Sequence, residues 1–520
     1  MTREIQKARA IMIAGTASHV GKSVLCTALC RIFRQDGYRV APFKAQNMAL
    51  NSYPTVDGGE IGRAQATQAM AAGIEPTVQM NPILLKPKRD AEAQVVVLGK
   101  PLGDMSATAY RRDYLPVALG IVRDSLEQLR SEYDLVVMEG AGSIAEVNLM
   151  DRDIVNLRAA ALADAPVVVA ADIDRGGVFA SIVGTMELLG EVERRQIAGW
   201  VINKFRGDLS LFDSGVHFIE ERTGRPVFGV MPFLPGLDIE EEDSVSLDQT
   251  SGTDRRDSGE GPWLDIAVIK LPRISNFTDF DALIREPDVR LRYVKRVAEL
   301  GSPDAIIIPG TKNTVDDLRW LQETGLAAAV IGLSRRGCGV VGICGGYQML
   351  GLDLLDPGGR EADLPQLSGL GLLPVVTTFA QEKITVRARG AILADRGFLA
   401  PLRGTALEGY EIHMGRTTLL EGAVPLLRLE RGGMDGAVAD DGRVFGTYLH
   451  GLFDNGLFRR TWLNHLRQLK GVPPLPEAGN SRLAREIAFD RLAEAVRRHI
   501  RVAELYRLLG LPAPTGGPRP

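Results

Sequence analysis

The sequence is poor in cysteine and histidine and has no long apolar run. Its 520 residues include four cysteines and six histidines, and so few cysteines cannot form a disulfide framework. No segment reaches the roughly 18 uninterrupted apolar residues that a membrane span needs. The start, MTREIQKARAIMIAG, lacks the order of charged, apolar and small residues that marks a signal peptide. These absences predict a cytoplasmic protein without a membrane partner.

Neither sign of charge dominates. The formal net charge is −4, and the sequence has no basic block or arginine-rich arm, which argues against nucleic acid as a partner. Hydrophobic residues make up 45% and charged residues 24% of the chain, the balance of a globular enzyme. A chain of this length exceeds one ordinary hydrophobic core, so we expect about two or three domains.

The first 235 residues alternate short β-branched runs with segments of helix length. Continuous apolar runs in this order predict a parallel sheet with helices on both faces. We therefore expect an α/β domain over residues 1–235, followed by an acidic, polar linker over residues 236–262. The strand candidates are AIMIAG (10–15), YRVAPFK (38–44), DLVVMEG (134–140), APVVVAAD (165–172), IAGWVIN (197–203) and PVFGVMP (226–232).

A second α/β domain is predicted over residues 263–457. Apolar runs recur in WLDIAVIKLP (263–272), DAIIIPG (304–310) and CGVVGICGG (338–346), and RVFGTYLHG (443–451) closes the region. Residues 458–520 are helical in character. Their tail, LPAPTGGPRP, is expected to be disordered.

A phosphate loop is predicted after the first strand candidate, in GTASHVGKS (15–23). Gly15, Thr16 and Gly21 allow backbone N–H groups to converge on phosphate, Lys22 supplies positive charge, and Ser23 can ligate Mg²⁺. The usual pattern has four residues between the first glycine and the Gly-Lys pair, whereas this loop has five. A glycine-rich turn that binds nothing is the alternative interpretation.

The longer loop resembles that of the dethiobiotin synthetase-like enzymes, which bind ATP and Mg²⁺. Magnesium needs carboxylates near the phosphates, and Glu139 ends the strand candidate DLVVMEG at a suitable place. The resemblance implies Glu60 as a second metal ligand, with Asp57 as its competitor, and Asn203 as an adenine contact. The alternative for Glu60 is an ordinary acid at a helix start, stabilised by the helix dipole.

Cys344 is the cysteine with an unusual setting, between an apolar strand candidate and a glycine pair that opens a helix. A thiol at a helix start has a lowered pKa and favours the thiolate. The N–H of Gly345 can face a developing oxyanion, and the turn at Gly310 can supply a second donor. Nucleophilic catalysis also needs a base, for which His450 is the first candidate and His413 the runner-up. The alternative for Cys344 is a buried structural cysteine.

This half resembles the class I, or triad-type, glutamine amidotransferases, which have a flavodoxin-like fold. Residue by residue, Cys344 matches the nucleophile, Gly345 an oxyanion donor and His450 the base. Most of that class carry a glutamate two residues after the histidine, where this sequence has Leu452. The subgroup that acts on corrinoids shares this lack. No third triad residue is predicted, and the partner that orients His450 stays open, with a backbone carbonyl or a water as candidates.

The pairing of these two halves is similar to the cobyric acid synthase family of cobalamin biosynthesis. The resemblance implies ATP- and glutamine-dependent amidation of the b, d, e and g carboxylates of adenosylcobyrinic acid a,c-diamide. Corrinoid, glutamine and ATP would be the partners, and the sequence does not indicate the oligomeric state. The stretches that carry the resemblance are FKAQNMALNS (43–52), GGEIGRAQATQAMAAG (58–73), NPILLKP (81–87), RISNFTDFD (273–281), PGTKNT (309–314) and YEIHMG (410–415).

Contacts with the corrinoid are expected from the FKAQNMALNS stretch. Lys44, Gln46 and Asn47 supply cationic and amide donors beside the phosphate loop, although a cluster that only structures its loop is the alternative. Ammonia must also pass between the two sites before it is protonated in bulk water. We therefore expect a close interface between the domains.

Two other functions share parts of this sequence pattern. Cobyrinic acid a,c-diamide synthase has the same two domains but amidates other carboxylates, and the AQNMALNS stretch (45–52) argues against it. A non-catalytic nucleotide switch of the partitioning-ATPase type would share the phosphate-loop fold. That function leaves residues 263–457 unexplained.

Overall fold

The computed structural model describes residues 7–89, 92–237, 239, 262–361, 364–477 and 481–512. Most of the predicted linker (236–262) and most of the predicted tail (from residue 513) lie outside these residues. Within them the chain forms two α/β halves with mostly parallel central sheets, as predicted. None of the described helices combines the length and the apolar character needed to cross a bilayer.

The first half opens with a strand, the phosphate-loop segment and a long helix. Its strands are β1 (Arg9–Gly15), β2 (Val40–Phe43), β3 (Gln46–Met48), β4 (Ser52–Pro54), β5 (Glu60–Gly62), β6 (Ile83–Arg89), β7 (Glu92–Val97), β8 (Lys100–Ser106), β9 (Leu135–Glu139), β10 (Val167–Asp172), β11 (Ile197–Phe205) and β12 (Val227–Pro232). Its helices are α1 (Lys22–Gln35), α2 (Arg63–Ala72), α3 (Ala107–Ala109), α4 (Leu115–Glu132), α5 (Leu157–Leu162), α6 (Val178–Leu188), α7 (Glu191–Gln196) and α8 (Asp213–Thr223).

Parallel strands form the central sheet of this half in the order β12-β11-β10-β1-β9-β2. Their apolar side chains are buried on both faces, as expected for a sheet covered by helices on two sides. β1 and β9 are neighbours, with Ile13 paired to Glu139. The loop after β1 and the carboxylate of Glu139 therefore meet at one edge of the sheet.

A smaller sheet in the first half was not predicted. Its strands have the order β3-β6-β7-β8, with β3 parallel to β6 and the later pairs antiparallel. The short polar sequence of β3 (QNM) and the Pro- and Gly-containing sequence of β8 (KPLGDMS) hide this sheet from a search for apolar runs.

The second half alternates strands and helices and contains a long hairpin. Its strands are β13 (Leu264–Ile269), β14 (Val289–Val294), β15 (Ala305–Ile308), β16 (Gly339–Ile343), β17 (Asp353–Leu355), β18 (Gln366–Ser368), β19 (Val375–Ile392), β20 (Ala406–Leu419), β21 (Leu427–Leu429), β22 (Met434–Asp435), β23 (Ala437–Val438) and β24 (Val444–Thr447). Its helices are α9 (Asp281–Ile284), α10 (Val297–Leu300), α11 (Thr314–Glu323), α12 (Leu326–Arg335), α13 (Gly345–Leu350), α14 (Gly456–Leu469), α15 (Ser481–His499) and α16 (Val502–Leu509).

The central sheet of the second half has the order β14-β13-β15-β16-β24-β23, and only its last pair is antiparallel. Cys344 directly follows β16, and His450 lies three residues beyond the end of β24. Because these two strands are parallel neighbours, their carboxyl ends bring the cysteine and the histidine to one edge.

The helical C-terminal extension is confirmed. Its last two helices, α15 and α16, return to the first half. α15 and α16 complete a core against α1 and the central sheet, through residues such as Phe489 and Tyr506. Cys26 and Cys30 are buried in this same core, as expected for small apolar side chains. The end of α15 lies so close to β12 that a Cβ at Gly229 would be 2.0 Å from the carbonyl oxygen of His499.

Candidate active sites

Cys344 occupies a strained turn between β16 and α13. Its φ is +53° and its ψ is −111°, a region that side-chain-bearing residues rarely adopt. Its N–H donates to the carbonyl oxygen of Thr447 over 2.8 Å, which fastens the turn to β24. The thiol is 6% exposed, and its Sγ lies 3.5 Å from the carbonyl oxygen of Ile412. The turn therefore presents the thiol to a small pocket at the start of α13.

His450 is fully buried and oriented by a carboxylate. Its Nδ1 lies 2.7 Å from Oδ2 of Asp279, and Oδ1 of Asp279 accepts the N–H of Gly451 over 2.9 Å. Because Nδ1 is occupied in this way, Nε2 is the nitrogen available to the hydrogen bond with Cys344. Asp279 is therefore the orienting partner that the sequence leaves open.

Asp279 was missed because it is distant in sequence. It lies 171 positions before His450, in a 3-10 turn (Phe277–Phe280). The sequence pattern of the class places the orienting acid two residues after the histidine. At that position this chain has Leu452, which is buried in the apolar core. The acids in the RISNFTDFD stretch, otherwise without an assigned role, were the signal that could have revealed it.

Asn276 contacts the other ring nitrogen of His450. Its Nδ2 lies 3.3 Å from Nε2 of His450, and its Oδ1 accepts the backbone N–H of Ser52 over 3.0 Å. The bond from Ser52, in the first half, fixes the amide so that its nitrogen faces the ring. An amide nitrogen can donate only to an Nε2 that carries no proton. Asn276 therefore opposes the protonated form of His450.

The surrounding charges favour that protonated form. Burial lowers the pKa of His450, but the charge and hydrogen bond of Asp279, together with the hydrogen bond to Cys344, raise it overall to about 10. An imidazolium beside the thiol stabilises the thiolate, which is the nucleophilic species. Asp279 thus favours a proton on Nε2 of His450, whereas Asn276 opposes it.

The Gly310 turn packs against both Cys344's helix and His450. A Cβ at Gly345 would lie 2.8 Å from Cγ2 of Thr311, and a Cβ at Gly310 would lie 3.1 Å from Cε1 of His450. The Gly310 turn and the start of α13 are thus neighbours, and the supply of oxyanion donors from them stays a prediction. The two glycines predicted to supply these donors are brought together.

His413, the second candidate for the base, lines the pocket of Cys344, but both of its ring nitrogens contact other groups. Its Nδ1 lies 2.8 Å from the carbonyl oxygen of Gly415, and its Nε2 lies 3.2 Å from Oε2 of Glu411. Its ring stacks on Tyr448 with 3.7 Å between centroids. The geometry therefore favours His450 as the base.

Glu60 is paired with two lysines that line the pocket of Cys344. The buried carboxylate pairs with Lys86 at 2.5 Å and with Lys383 of the second half. Burial opposes ionisation of Glu60, but Lys383 and Lys86 hold its pKa well below the usual range. Its competitor Asp57 is exposed and accepts a hydrogen bond from Thr55. A metal contact of Glu60 or Asp57 at the phosphate loop stays a prediction, and the pairing of Glu60 with two lysines argues against it.

The central residues of the phosphate loop meet at the edge of the first sheet. Ser23 Oγ donates to Oε1 of Glu139 over 2.8 Å. Lys22 Nζ donates to the carbonyl oxygens of Ala17 and Gly142, each at 2.9 Å. A positive side chain, a hydroxyl and a carboxylate are thus assembled at the start of α1, as predicted.

Two hydrogen bonds connect the phosphate loop to the neighbouring strands β10 and β11. Asn203 Nδ2 donates to the carbonyl oxygen of Val20 over 2.8 Å, and a Cβ at Gly21 would lie 2.1 Å from that nitrogen. The N–H of Thr16 donates to the carbonyl oxygen of Ala170 over 3.0 Å. A Cβ at Gly15 would approach Val20 Cγ2 to 2.7 Å, so the close packing requires glycine. The adenine contact of Asn203 stays a prediction.

Glu139 has a dense shell of donors. Lys44 Nζ donates to Oε1 over 2.9 Å, and Gln68 Nε2 donates to Oε2 over 2.5 Å. Burial opposes ionisation, but Lys44 and the hydrogen bonds hold the pKa of the Glu139 carboxyl below its ordinary value. Asn47 Nδ2 donates to Oε1 of Gln65 over 3.0 Å. Lys44 and Asn47 are buried and bonded within the first half, and their predicted contacts with the corrinoid stay a prediction.

Gln46, the third residue predicted to contact the corrinoid, does face a cavity. The cavity measures about 420 Å³ and is lined by Gln46, by Gly142 and by apolar side chains that include Leu85 and Val95. Exposed Arg111 contributes a positive charge to its wall. Since the carbonyl oxygen of Gly142 accepts a hydrogen bond from Lys22, the cavity adjoins the phosphate loop.

Comparison with known sequences agrees with this division into two halves. The profile of the CobQ/CobB/MinD/ParA nucleotide binding domain matches residues 11–246, and that of the CobB/CobQ-like glutamine amidotransferase domain matches residues 265–458. Similar proteins named cobyric acid synthase occur in Desulforamulus reducens (55% identity over 97% of this chain and 98% of the relative) and Pelotomaculum thermopropionicum (57% over 98% and 100%). Another, from Moorella thermoacetica, is 50% identical over 98% of both chains.

Proposed function

The chain belongs to the family of cobyric acid synthases, and on that premise we propose that it converts adenosylcobyrinic acid a,c-diamide into adenosylcobyric acid. The b, d, e and g carboxylates are the groups amidated, with ATP as the activating agent and glutamine as the nitrogen donor. We place the reaction in the cytoplasm.

One observation carries the proposal: the pocket of Cys344 includes a residue of the ATP-binding half. Lys86 lines this pocket together with Cys344 and Lys383 of the second half. A glutaminase that only hydrolysed glutamine would not need such a wall. A pocket shared by the two halves suits a reaction in which ammonia made by one half is used by the other.

In the glutaminase half, Cys344 acts as the nucleophile. Its thiolate attacks the side-chain carbonyl carbon of glutamine, and the oxyanion is stabilised by backbone N–H groups near Gly345 and Gly310. His450, oriented by Asp279, donates a proton from Nε2 to the departing nitrogen, which leaves as ammonia. Water then attacks the thioester, His450 accepts its proton, and glutamate is released.

In the synthetase half, Lys22 and the phosphate-loop N–H groups hold the outer phosphates of ATP. A carboxylate of the acceptor attacks the terminal phosphorus to form an acyl phosphate and ADP, because oxide is too poor a leaving group for direct displacement. Ammonia attacks the acyl carbon, and phosphate departs. Neutralisation of the transferring phosphoryl group by Lys22 is the main contribution of the chain to the first step.

The donor set near the phosphate loop fits Mg²⁺. Ser23 and Glu139 offer a hydroxyl and a carboxylate oxygen 2.8 Å apart, and magnesium sites in such enzymes use one or two protein oxygens together with phosphate and water. When bound, the ion would offset negative charge on the phosphates of ATP. Lys44 beside Glu139 keeps that carboxylate ionised and fixed in orientation.

The corrinoid is assigned to the cavity beside the phosphate loop. An apolar wall of residues such as Leu85 and Val95 suits the face of a macrocycle, whereas Arg111 suits its peripheral carboxylates. Gln46 offers an amide, and its Oε1 accepts a hydrogen bond from Tyr110. Proximity to Lys22, through Gly142, places a bound carboxylate near the reacting phosphate.

The test is incubation of the protein with ATP, Mg²⁺, glutamine and separate corrinoid acceptors, followed by mass spectrometry to count amides. We expect four additions to the a,c-diamide, because each of the four named carboxylates becomes an amide. Conversion of cobyrinic acid to its a,c-diamide instead would support the rival synthase and overturn the proposal.

A further inference from the structure

The pocket of Cys344 contains more charge than attack on a neutral amide requires. Lys86 and Lys383 are both paired with Glu60. Two opposite charges of the wall are therefore left to face a ligand, one on a lysine and one on a glutamate. The charged side chains that line the pocket are three lysines and one glutamate: Lys86, Lys312, Lys383 and Glu361.

Glu361 is buried and fixed in position. Its Oε2 accepts the backbone N–H of Thr314, the first residue of α11, over 2.8 Å. Its own N–H donates to Oδ2 of Asp356 over 2.7 Å, and its carbonyl oxygen accepts a hydrogen bond from Nδ2 of Asn313 over 3.0 Å. Within the part of the chain that the structure describes, Oε1 accepts no hydrogen bond. One carboxylate oxygen is thus held by the protein, and the other is available to a ligand.

Lys312 is the lysine of the pocket without a direct counter-charge. None of the described carboxylates lies within ion-pairing distance of its Nζ. Burial lowers the pKa of Lys312, and the charge of Glu361 opposes that shift. Burial likewise raises the pKa of the Glu361 carboxyl, which Lys312 opposes. A charge in such surroundings costs free energy unless a ligand supplies its partner, so each group favours a ligand of opposite sign.

Both groups lie beside the turn that carries the nucleophile. A Cβ at Gly345 would lie 3.2 Å from the backbone nitrogen of Thr311 and 3.2 Å from Oγ1 of Thr314. Lys312 directly follows Thr311, and Glu361 is bonded to the N–H of Thr314. In glutamine only three single bonds separate the amide carbon from the α-carbon. A glutamine whose amide meets the thiol therefore places its α-groups in this same pocket.

Two other polar side chains of the pocket are bonded within the protein. The amide of Gln348 accepts a hydrogen bond from Oγ1 of Thr314 over 2.9 Å and donates one to the hydroxyl of Tyr448 over 3.1 Å. Both ring nitrogens of His413 are likewise occupied. The lysine and the glutamate described above are therefore the better partners for the charged groups of a substrate.

We propose that Lys312 and Glu361 select glutamine by its two α-groups, with the Lys312 ammonium on the α-carboxylate and the Glu361 carboxylate on the α-ammonium. The inference rests on the proposed function, since it needs glutamine as the substrate of Cys344. A zwitterion suits two opposite charges that are not paired with each other, because it presents a partner for each at one carbon atom. Both contacts are made in the bound substrate as well as in the transition state, so they lower KM and leave kcat unchanged.

The experiment measures ammonia release from three amides by the full-length protein, in the presence of ATP, Mg²⁺ and the corrinoid. The amides are glutamine, glutaramate, which lacks the α-amino group, and 4-aminobutanamide, which lacks the α-carboxylate. Glu361→Gln should lower kcat/KM for glutamine about 10- to 100-fold through KM, the factor for one hydrogen bond between charged groups. Its kcat/KM for glutaramate should stay at the wild-type value, because that analogue has no group for Glu361 to bind.

Lys312→Met tests the other contact independently and should show the complementary pattern. Its kcat/KM should fall for glutamine and for glutaramate and stay at the wild-type value for 4-aminobutanamide. Glu323→Gln and Lys295→Met are matched controls at exposed positions of the second half, and they should equal the wild type with all three amides. Amidation of the corrinoid with ammonium chloride should persist in Glu361→Gln and Lys312→Met, which shows that both variants are folded.

An equal fractional loss for glutamine and for both analogues would overturn the assignment, because a residue that only supports the pocket would lower every rate alike. A fall in kcat at unchanged KM would overturn it as well. Failure of the proposed function looks different, since the wild type itself would then release no ammonia from glutamine or form no corrinoid amide.

Discussion

Ser52 in the ATP-binding half donates its backbone N–H to Oδ1 of Asn276 in the glutaminase half over 3.0 Å. Asn276 Nδ2 lies 3.3 Å from Nε2 of the buried His450. Ser52 belongs to the same FKAQNMALNS stretch as Gln46, which lines the acceptor cavity. A shift of this stretch on acceptor binding would therefore alter the hydrogen bonding of the glutaminase base.

Asn276→Ala should raise glutaminase activity in the absence of ATP and corrinoid by about fivefold. The substitution removes one hydrogen bond that opposes protonation of Nε2, and that bond is worth about 1 kcal/mol. Stimulation by ATP plus corrinoid should shrink correspondingly. Initial rates of glutamate release with and without both ligands measure the effect. A fall in the unstimulated rate would mean that Asn276 supports the reacting geometry rather than opposing it.

Asp279→Asn should lower the kcat for glutamine hydrolysis by about 100-fold or more, as expected when the orienting carboxylate of a nucleophile–histidine pair is lost. KM for glutamine should change little, because Asp279 contacts His450 and not the substrate pocket directly. Amidation with ammonium chloride should persist, which controls for folding. A kcat near the wild-type value would remove Asp279 from the proposed triad.

The pair Asp279–His450 should stabilise the fold at low and neutral pH and cease to do so in alkali. The folded-state pKa of His450 lies at about 10, above the ordinary 6.5, so the contribution is complete below pH 6.5 and is lost as the pH rises through about 10. The Tm difference between wild type and Asp279→Asn should therefore shrink as the pH approaches 10. Differential scanning fluorimetry measures it, with the exposed Asp124→Asn as a control without such a trend. A difference that grows with pH would contradict the assignment.

Lys22→Ala and Cys344→Ala should separate the two half-reactions. Lys22→Ala should abolish ATP-dependent amidation, because it removes the main positive charge at the phosphate loop, while unstimulated glutamine hydrolysis largely continues. Cys344→Ala should release no glutamate from glutamine yet still amidate the corrinoid with ammonium chloride. Loss of both activities in both variants would argue against two sites joined by ammonia transfer.

Phe489→Ala should destabilise the chain through the first half. The ring is 1% exposed, on α15, and packs into a core with α1. Truncating a buried aromatic side chain costs about 3–5 kcal/mol. Ile487 on the same helix is 50% exposed, so Ile487→Ala should change stability by less than about 0.5 kcal/mol. Denaturant unfolding of both variants makes the comparison, and equal effects would contradict the packing of α15.

The sequence predicted what is encoded locally. The apolar runs marked the parallel strands, and the glycine-flanked Lys22 and Cys344 marked two strand–helix turns, because backbone geometry and chemistry are specified there by adjacent residues. The contact of Asp279 with His450 and the ion pairs of Glu60 were not predicted, because their partners lie far along the chain. Lys383, for instance, is 323 positions from Glu60. No local pattern reports such a pairing.

The small sheet was missed for a different reason. β3 and β8 carry polar or turn-forming residues, and β6 and β7 each combine a run of three apolar residues with polar ones. One face of β6 lines the cavity beside the phosphate loop, and Lys86 on its other face lines the pocket of Cys344. Periodicity identifies strands that are buried uniformly or on one face. A strand whose two faces serve two sites, as β6 does, has neither pattern.

The return of α15 and α16 to the first half has a consequence for the folding of the chain during translation. During translation the ATP-binding half leaves the ribosome first, but part of its core, against α1, stays uncovered until the residues from 481 onward emerge. Phe33, whose ring packs edge-on against Tyr506, and its neighbours are then exposed to solvent or to chaperones for the whole synthesis of the second half. A nascent or truncated chain that lacks these helices would present this apolar surface to proteases.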